Sequence, residues 1–342
     1  MDKISIIGLD LAKGVFQVHG IDEEGEVAVR RQLRRAQVLG FFARLEPCLI
    51  GMEACATSHY WAREMVALGH EVRLIPPAHV KPYVRRGRKN DANDAAAICE
   101  ALQSKRITVV PVKSPEQQAG LVLHRARSLL VTQRTMLANA VRSHLAEFGT
   151  IEAQGEKGLG KLIVLALDAN APGLPAFARE GLAMLAAQLR EAEAKIDALN
   201  QQIRALHQSD EASRRVATIP GIGPHIASAL VTAIGHPQRF SSGRDLSAWL
   251  GLVPSQNSSG GKTALGRITK TGDRYLRSLL VLGATAMLRR RNHGFAPWLD
   301  ALLGRMSARK ATVALANKMA RIVWAILVKG GIYQPPQVAT AA

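Results

Sequence analysis

Short apolar runs alternate with turn residues and helical stretches along the first third of the chain. The segments ISIIGLD, GVFQVHG and GEVAVRRQL are typical of three strands joined by tight turns. Two further strand-like segments follow, PCLIGMEA and HEVRLIPP, each with a helical stretch before it. Three successive strands, and then strands alternating with helices, predict an α/β domain with a mixed sheet, which we place at residues 1–112.

A helical pattern replaces this alternation from Ser114 onwards. Later in the chain, apolar residues recur at spacings of three and four: Leu182, Leu185, Leu189, Ala192, Ile196, Leu199, Ile203 and Leu206. Such a seam is typical of a helix that packs lengthwise on another helix. The partner is either a helix of the same chain, which gives an intramolecular hairpin, or a second subunit, which gives a coiled coil. We assign residues 113–212 to a helical linker with this coiled-coil segment, and residues 213–342 to a mainly α C-terminal domain.

Two features of the C-terminal domain favour contact with a phosphate backbone. The segment ATIPGIGPHIASALVTAIG resembles a helix-hairpin-helix, in which Gly221 and Gly223 would let backbone N–H groups approach a phosphate. The alternative is a plain tight turn between packed helices. A polar, glycine-rich segment at residues 254–280 favours a functional loop because of its dense positive charge, at Lys262, Arg267, Lys270, Arg274 and Arg277.

The net charge points to a polyanionic partner. The 342 residues include 45 Lys and Arg against 27 Asp and Glu, which gives a formal charge of +18. Nucleic acid is the leading partner, although a membrane-surface or ribosomal-type protein would show the same charge. Aromatic residues make up only 4% of the chain, which argues against base stacking as its main way of reading a sequence.

Cysteine, histidine and hydropathy argue against several other classes of protein. Three cysteines without a CxxC pair fit a reducing compartment, and we expect a cytoplasmic protein. The ten histidines lack metal-ligand spacing, so a zinc site has little support. The start of the chain lacks the apolar core of a signal peptide, and the most apolar late segment is interrupted by Lys318 and Arg321. We therefore predict no membrane span.

Four carboxylates fall where an α/β nuclease would place them. Asp10 ends the first strand, Glu53 ends a later strand, and Asp91 and Asp94 lie one turn apart on a predicted helix. Singly, these residues could cap a turn, pair with a lysine or favour the positive end of their helix. Together they form the arrangement of a ribonuclease H-like catalytic centre, in which two divalent cations would neutralise the cluster. Carboxylate ligands fit Mg²⁺ or Mn²⁺ better than zinc or copper.

A basic run lies just before the paired aspartates, where it could hold a phosphate backbone close to the metals. Its members are Lys81, Arg85, Arg86, Arg88 and Lys89.

The motifs together resemble a known family. The segments IGLDLAKGVFQVHG, GMEACATSHYWA and GRKNDANDAAAICEA in the first half are similar to motifs of the DEDD-type transposases of bacterial insertion sequences. In the second half, IPGIGPHIASALVTAIG and AWLGLVPSQNSSGGKTALGRITKTGDRYLR continue the similarity. These transposases are relatives of the Piv-type DNA invertases and include the bridge-RNA-guided recombinases. The resemblance covers nearly the whole chain, in order.

The resemblance implies particular residues for a composite active site. A RuvC-like N-terminal domain would hold Mg²⁺ through the four acids already named, Asp10, Glu53, Asp91 and Asp94. A serine in the glycine-rich loop of the C-terminal domain would be the nucleophile, and its offset from Pro254 indicates Ser259 rather than the adjacent Ser258. Attack by Ser259 on phosphorus would give a covalent phosphoserine–DNA intermediate, followed by strand exchange.

The resemblance also implies partners. One is a non-coding guide RNA, encoded by the element, whose loops pair with target and donor DNA. The other is a further copy of the chain, because the serine domain of one protomer would meet the acidic domain of another in a dimer or tetramer.

Two rival functions stay open. A hydrolytic Holliday-junction resolvase or nuclease would use the same acids with water as the nucleophile, so Ser259→Ala would leave cleavage intact. A non-catalytic architectural nucleic-acid-binding protein would use only its helix-hairpin-helix and basic helices, so Asp10→Asn would leave its function unchanged.

Overall fold

The computed structural model describes residues 4–84, 91–104, 107–257, 264–290 and 293–335, and for Asp91 the backbone alone. These residues form two compact units, residues 1–116 and residues 117–342. The division of the chain into three domains, with boundaries at 112 and 212, stays a prediction.

The first unit is a mixed sheet with helices. Its five strands are β1 (Ile6–Leu11), β2 (Val15–Ile21), β3 (Val27–Arg34), β4 (Leu49–Glu53) and β5 (Glu71–Ile75). Their spatial order is β3-β2-β1-β4-β5. The pairs β1–β2 and β2–β3 are antiparallel, whereas β1–β4 and β4–β5 are parallel. The helices are α1 (Val38–Phe42), α2 (Ser58–Ala67), α3 (Pro77–Val80) and α4 (Asp91–Leu102). The predicted α/β fold with a mixed sheet is confirmed.

Side chains of this sheet are buried on both faces, because successive residues of a strand point to opposite sides. On one face Leu9 and Met52 pack with Trp61 of α2. On the other face Ile75 packs with Ile98 of α4. Burial on two faces explains why the strands read as short apolar runs.

The second unit is mainly helical, as predicted. Its helices are α5 (Pro115–Ala146), α6 (Glu156–Leu167), α7 (Ala176–Ser209), α8 (Glu211–Val216), α9 (Pro224–Ile234), α10 (Gly243–Trp249), α11 (Arg274–Arg289), α12 (Ala296–Leu303) and α13 (Ala308–Lys329). Two short strands, β6 (Pro254–Gln256) and β7 (Leu265–Ile268), form an antiparallel pair. The sequence patterns predicted only a polar loop here, since three and four residues are too few to show an alternation.

The apolar seam of α7 is buried inside the second unit. Leu182 and Leu189 share a core cluster with Val141 of α5 and Leu162 of α6. Further along α7, Ile203 is fully buried. The seam therefore packs on helices of the same chain, which favours the intramolecular alternative over a coiled coil between subunits.

Helix α13 is long and apolar enough to cross a membrane by length and composition. In the second unit, however, Leu315, Met319 and Val323 of α13 are fully buried in one core with residues of α9 and α11. Packing inside the unit therefore accounts for the apolar composition of this helix.

A buried polar network ties three helices of the second unit together. His124 of α5 is 1% exposed, and its Nε2 lies 3.1 Å from the Ser228 hydroxyl of α9. Its Nδ1 lies 3.3 Å from the Tyr275 hydroxyl of α11. Burial, followed by the charges of His225 and Arg127, lowers the pKa of His124 to about 4. The imidazole is therefore neutral at pH 7, with both ring nitrogens in contact with hydroxyl groups.

We expect the second unit to lose stability as the pH falls from about 6.5 to 4. The folded state keeps His124 neutral in this interval, whereas the unfolded chain, with a pKa near 6.5, binds a proton and is thereby favoured. Titration of His124 alone lowers the free energy of unfolding by no more than about 3 kcal/mol. Denaturant unfolding followed by tryptophan fluorescence would measure it. His124→Gln should flatten the pH dependence, whereas the exposed control His236→Gln should not; equal curves for the two variants would refute the assignment.

Candidate active site

Asp10 and Glu53 lie at the ends of neighbouring parallel strands. In the register of β1 and β4, Leu9 is opposite Met52, and the two acids are the next residue of each strand. Both acids come two residues after a pair of opposed glycines, Gly8 and Gly51. Because residues two apart share a face of a sheet, the acids lie on the same face as these glycines.

Helix α4 crosses this face directly above the glycines. A Cβ atom added at Gly8 would collide with the carbonyl oxygen of Ala95 and come within 2.7 Å of the Cys99 nitrogen. The Cys99 thiol lies 4.0 Å from the carbonyl oxygen of Ile6. From Ala95 to Cys99 the helix therefore runs back along β1, and its N-terminal end is directed towards Asp10.

Asp94 begins a row of α4 residues that faces the sheet. Ile98 and Leu102 follow it at intervals of four, which places the three side chains on one side of the helix. A Cβ atom added at Gly51 would meet the side chains of both Ile98 and Leu102. Asp94 itself is half-buried. The fold thus directs Asp94 towards the same end of the same sheet face as Asp10 and Glu53.

The fourth predicted acid, Asp91, is the first residue of α4, and its side chain lies outside the described part. Among the described side chains, no group of three or more His, Cys, Asp or Glu is arranged to hold a metal ion. The donors that the fold directs to this edge are all carboxylates, and such a set fits a hard divalent cation rather than a soft one.

The predicted serine loop falls between β6 and β7 of the second unit in the sequence. Ser258, Ser259 and Lys262 lie outside the described residues, which stop at Asn257 and resume at Ala264. The backbone N–H of Asn257 donates to the carbonyl oxygen of Ala264 at 3.0 Å. This hydrogen bond closes the hairpin at the point where the serine segment leaves and returns.

The base of this hairpin is clamped to the end of α10. Gly251 and Gly272 have φ values of +70° and +75°. A Cβ atom added at Gly251 would collide with the backbone of Thr271, and a Cβ atom added at Gly272 would collide with the backbone of Trp249. The Arg277 guanidinium donates to the carbonyl oxygens of Leu250 at 3.1 Å and Thr271 at 2.9 Å. Arg277 was predicted to contact nucleic acid, and these two bonds also make it a structural residue of the clamp.

Other predicted nucleic-acid contacts are spread along the two units. Lys81 lies in the short 3-10 helix Lys81–Tyr83 of the first unit and is exposed. Arg267 of β7, Lys270 and Arg274, the first residue of α11, are exposed in the second unit. Lys270 has φ +56°, the left-handed region that residues other than glycine seldom adopt. The remaining members of the basic run lie outside the described residues: Arg85, Arg86, Arg88 and Lys89.

The two glycines between α8 and α9 differ in their surroundings. Gly221 has φ +86°, and a Cβ atom there would lie 2.8 Å from Met287 and 2.9 Å from the Gly283 carbonyl oxygen. Packing alone therefore requires glycine at this position. Gly223 is the N-cap of α9, is exposed and has no neighbouring atom within 4 Å of such a Cβ. Of the two, Gly223 is the one that is open to a ligand.

Sequence reasoning missed a group of polar residues on the same sheet face as the acids. In the register of the sheet, Asp10 is opposite Gln17, which is opposite Gln32. Two residues earlier in β1, Gly8 is opposite His19 of β2, which is opposite Arg30 of β3. The signal was present in the polar residues at alternate positions of β2 and β3, but these strands resembled ordinary half-exposed strands.

Comparison with known proteins gives matches in both units. Residues 213–298 match the family described as Transposase IS116/IS110/IS902, and residues 7–149 match the DEDD transposases of IS110 type. A probable family 20 transposase of Pseudomonas aeruginosa is 49% identical over 336 residues, which cover 97% of this chain and 99% of the relative.

Two further relatives are transposases of named insertion sequences. The transposase of IS1111A from Coxiella burnetii is 39% identical over 98% of this chain and 92% of its own length. The transposase of IS1328 from Yersinia enterocolitica is 36% identical over 97% of this chain and 99% of its own length. The chain therefore belongs to the IS110/IS116/IS902 family of insertion-sequence transposases, as its motifs predict.

Proposed function

We propose that this transposase cuts and rejoins DNA at a composite site made of the four acids of one protomer and Ser259 of another. The observation that carries the proposal is the convergence of Asp10, Glu53 and the N-terminal end of α4 on one end of one sheet face. We assign the mixed sheet accordingly to the ribonuclease H/RuvC-like class. Asp91 and Asp94 would complete the set of acids.

The acids would hold Mg²⁺, with Mn²⁺ as a substitute. Bound there, the cation would neutralise the carboxylates and stabilise charge on the scissile phosphate. Asp10 and Glu53 are fixed by the hydrogen-bonded ladder of the sheet, and Asp94 by the contact of α4 with Gly8 and Gly51. Acids held on a backbone fixed in this way would lower the cost of orienting the phosphate once the cation binds.

Ser259 would supply the nucleophile. Its hydroxyl oxygen forms a bond to phosphorus, the bond from phosphorus to a deoxyribose oxygen breaks, and the proton passes to the leaving oxygen. The phosphodiester is exchanged rather than hydrolysed, so a DNA hydroxyl can later attack the phosphoserine and rejoin the strands. A serine needs activation for this role. The clamped base of the β6–β7 hairpin supports the proposal, because the residues on either side of the serine segment, Asn257 and Ala264, are joined by a backbone hydrogen bond.

Exposed cations of both units would bind the phosphate backbone. We assign this role to Lys81 and the basic run after it in the first unit, and to Lys262, Arg267, Lys270 and Arg274 in the second. Gly223, at the open start of α9, would add a backbone N–H contact. Such contacts position DNA without reading its sequence. A guide RNA paired with donor and target DNA would supply the sequence recognition, in a cytoplasmic complex.

Assembly of a dimer or tetramer would need an apolar surface other than the buried seam of α7. Helix α5 offers one: Val122, Leu129 and Met136 recur every seven residues and are 61%, 59% and 67% exposed. A repeat of seven is the spacing with which two helices pack side by side. We assign this stripe to contact with a second copy of the chain.

The experiment that tests the proposal uses the chain with its co-purified RNA and DNA that spans the ends of its element. We expect strand cleavage with Mg²⁺ or Mn²⁺, none after chelation, and none after the RNA has been digested with ribonuclease. Cleavage that persists after digestion of the RNA would remove the guide from the proposal. Cleavage that persists in chelator would remove the metal.

A further inference from the structure

The first unit has an open groove beside the candidate acids. Helix α4 lies directly above β1 and β4, as the close approach at Gly8 and Gly51 shows, and this leaves β2 and β3 partly uncovered on the same face. The resulting cavity has a volume of about 560 Å³. Its floor includes Gln17, His19 and Arg30, and its wall is formed by residues of α4. A cavity of this size accommodates one nucleotide.

The groove begins at the acids. Gln17 is the residue opposite Asp10 in the register of β1 and β2. Asn93, which lines the wall, immediately precedes Asp94 on α4. The groove then continues along β2 and β3, away from the acids, towards Glu100 in the third turn of α4. A strand whose phosphate lies at the acids therefore has an adjoining cavity for its next nucleotide.

Amides and one neutral ring line the near part of this groove. Gln17, Gln32 and Asn93 each offer a carbonyl acceptor and an NH₂ donor. Burial, followed by the charge of Arg30, lowers the pKa of His19, while Glu100 opposes that effect. The ring is therefore neutral at pH 7 and offers one donor and one acceptor. Such groups offer acceptors as well as donors, as the edge of a nucleobase requires, whereas the oxygens of a phosphate diester only accept.

One cation completes the groove. Arg30 lies opposite His19 in the register of β2 and β3 and is exposed. The next residue, Arg31, points to the other face, where its guanidinium lies 5.7 Å from the Phe41 ring centroid. Both arginines border the cavity, but the guanidinium of Arg31 is at the Phe41 ring, so we expect Arg30 to contribute the positive charge beside the amides.

We propose that the groove binds the nucleotide next to the scissile phosphate of the cut DNA strand, with its base against Gln17 and Gln32 and its far phosphate at Arg30. This assignment rests on the proposed function, since it takes the acids as the place where DNA is cut. The groove adjoins the acids, so one nucleic-acid strand would occupy both. Because the strand cut at the acids is DNA, we expect the groove to bind DNA rather than RNA.

Photo-crosslinking tests the proposal on the full chain. The probe is single-stranded oligo-dT substituted with 4-thiothymidine, and the readout is the amount of DNA attached to the protein fragment that contains Gln17 and His19. Arg30→Gln should lower this yield about tenfold, since it removes a phosphate contact beside the base. The matched control Arg31→Gln removes the same charge from the neighbouring position and should change the yield by less than about twofold.

A second variant keeps the test independent of charge. Replacement of both Gln17 and Gln32 by Leu should lower the yield by a similar factor while circular dichroism stays unchanged. Equal yields from Arg30→Gln and Arg31→Gln would overturn the proposal, and so would crosslinking of 4-thiouridine oligo-U in place of oligo-dT, which would assign the groove to RNA. Loss of the crosslink in a chain that still cuts DNA refutes the groove alone. A crosslink in a chain that never cuts refutes the proposed function instead.

Discussion

Asp10→Asn is expected to reduce metal-dependent DNA cleavage by roughly a thousandfold or more, the size of loss that follows removal of a principal catalytic group. The amide of asparagine keeps the shape of the side chain but removes its negative charge, so a divalent cation loses a charged ligand. Asp10 ends the central strand of the sheet, with Glu53 beside it. The change should therefore act on chemistry and leave the fold intact.

The matched control for Asp10→Asn is Glu71→Gln. Glu71 begins β5 of the same sheet, opposite Leu49 at the other end of β4, and its exposed carboxylate pairs with Arg73 at 2.7 Å. This change also removes one negative charge, and we expect cleavage within about twofold of the original chain because exposed ion pairs contribute little. Initial rates of cleavage in Mg²⁺ would measure both. Wild-type cleavage by Asp10→Asn would show that Asp10 is not part of the catalytic centre.

Gly8→Ala is expected to reduce cleavage on the order of a hundredfold although the residue carries no functional group. The added Cβ would collide with the Ala95 carbonyl oxygen and crowd Cys99, so α4 must move away from β1. Asp94 moves with it, and a displacement of about 1 Å in a catalytic frame costs about this much. Overpacking should also destabilise the first unit by about 1–3 kcal/mol.

Gly14→Ala provides the comparison for Gly8→Ala. Gly14 lies between β1 and β2, and no atom lies within 4 Å of a Cβ added there. We expect its stability and cleavage to remain close to those of the original chain. Thermal unfolding and cleavage rates of the two variants, measured side by side, would separate the contact of α4 from a general effect of replacing glycine. Indistinguishable results would show that α4 does not depend on this close approach.

Local patterns in the sequence predicted the first unit well. The five strand-like runs became β1 to β5, and the helix that carries Asp91 and Asp94 begins at Asp91. These elements follow from the local alternation and spacing of apolar and polar residues, which can be read from a single sequence. The four acids could be chosen for the same reason, because each lies close to the end of a strand or in the first turn of a helix.

Contacts between distant residues could not be predicted in this way. The position of α4 depends on Gly8 and Gly51 meeting Ala95 and Leu102, and no local pattern links these residues. The groove beside the acids follows from that position, so it was missed as well. The seam of α7 indicated that this helix packs on another helix, but an apolar repeat does not identify the partner. The burial of the seam beside Val141 identifies α5 of the same chain as a partner.

Glycines of the second unit illustrate the same limit. Gly221 and Gly223 looked alike in the motif IPGIGP, where both suggested contact with a phosphate. Their surroundings in the fold distinguish them, because Gly221 packs against Gly283 and Met287 whereas no described atom lies close to a Cβ atom added at Gly223. A short motif thus predicted the turn correctly, whereas the reason for each glycine depended on helix α11, some sixty residues away in the chain.

A trap for the covalent phosphoserine–DNA intermediate tests whether Ser259 is the nucleophile. The chain, its co-purified RNA and end-labelled DNA that spans the element's ends would be incubated with Mg²⁺, denatured, and examined for label on the protein. We expect labelled protein with the original chain and with Ser258→Ala, and none with Ser259→Ala or Asp10→Asn. DNA that is cut while no label ever stays on the protein would contradict it and show that water is the nucleophile.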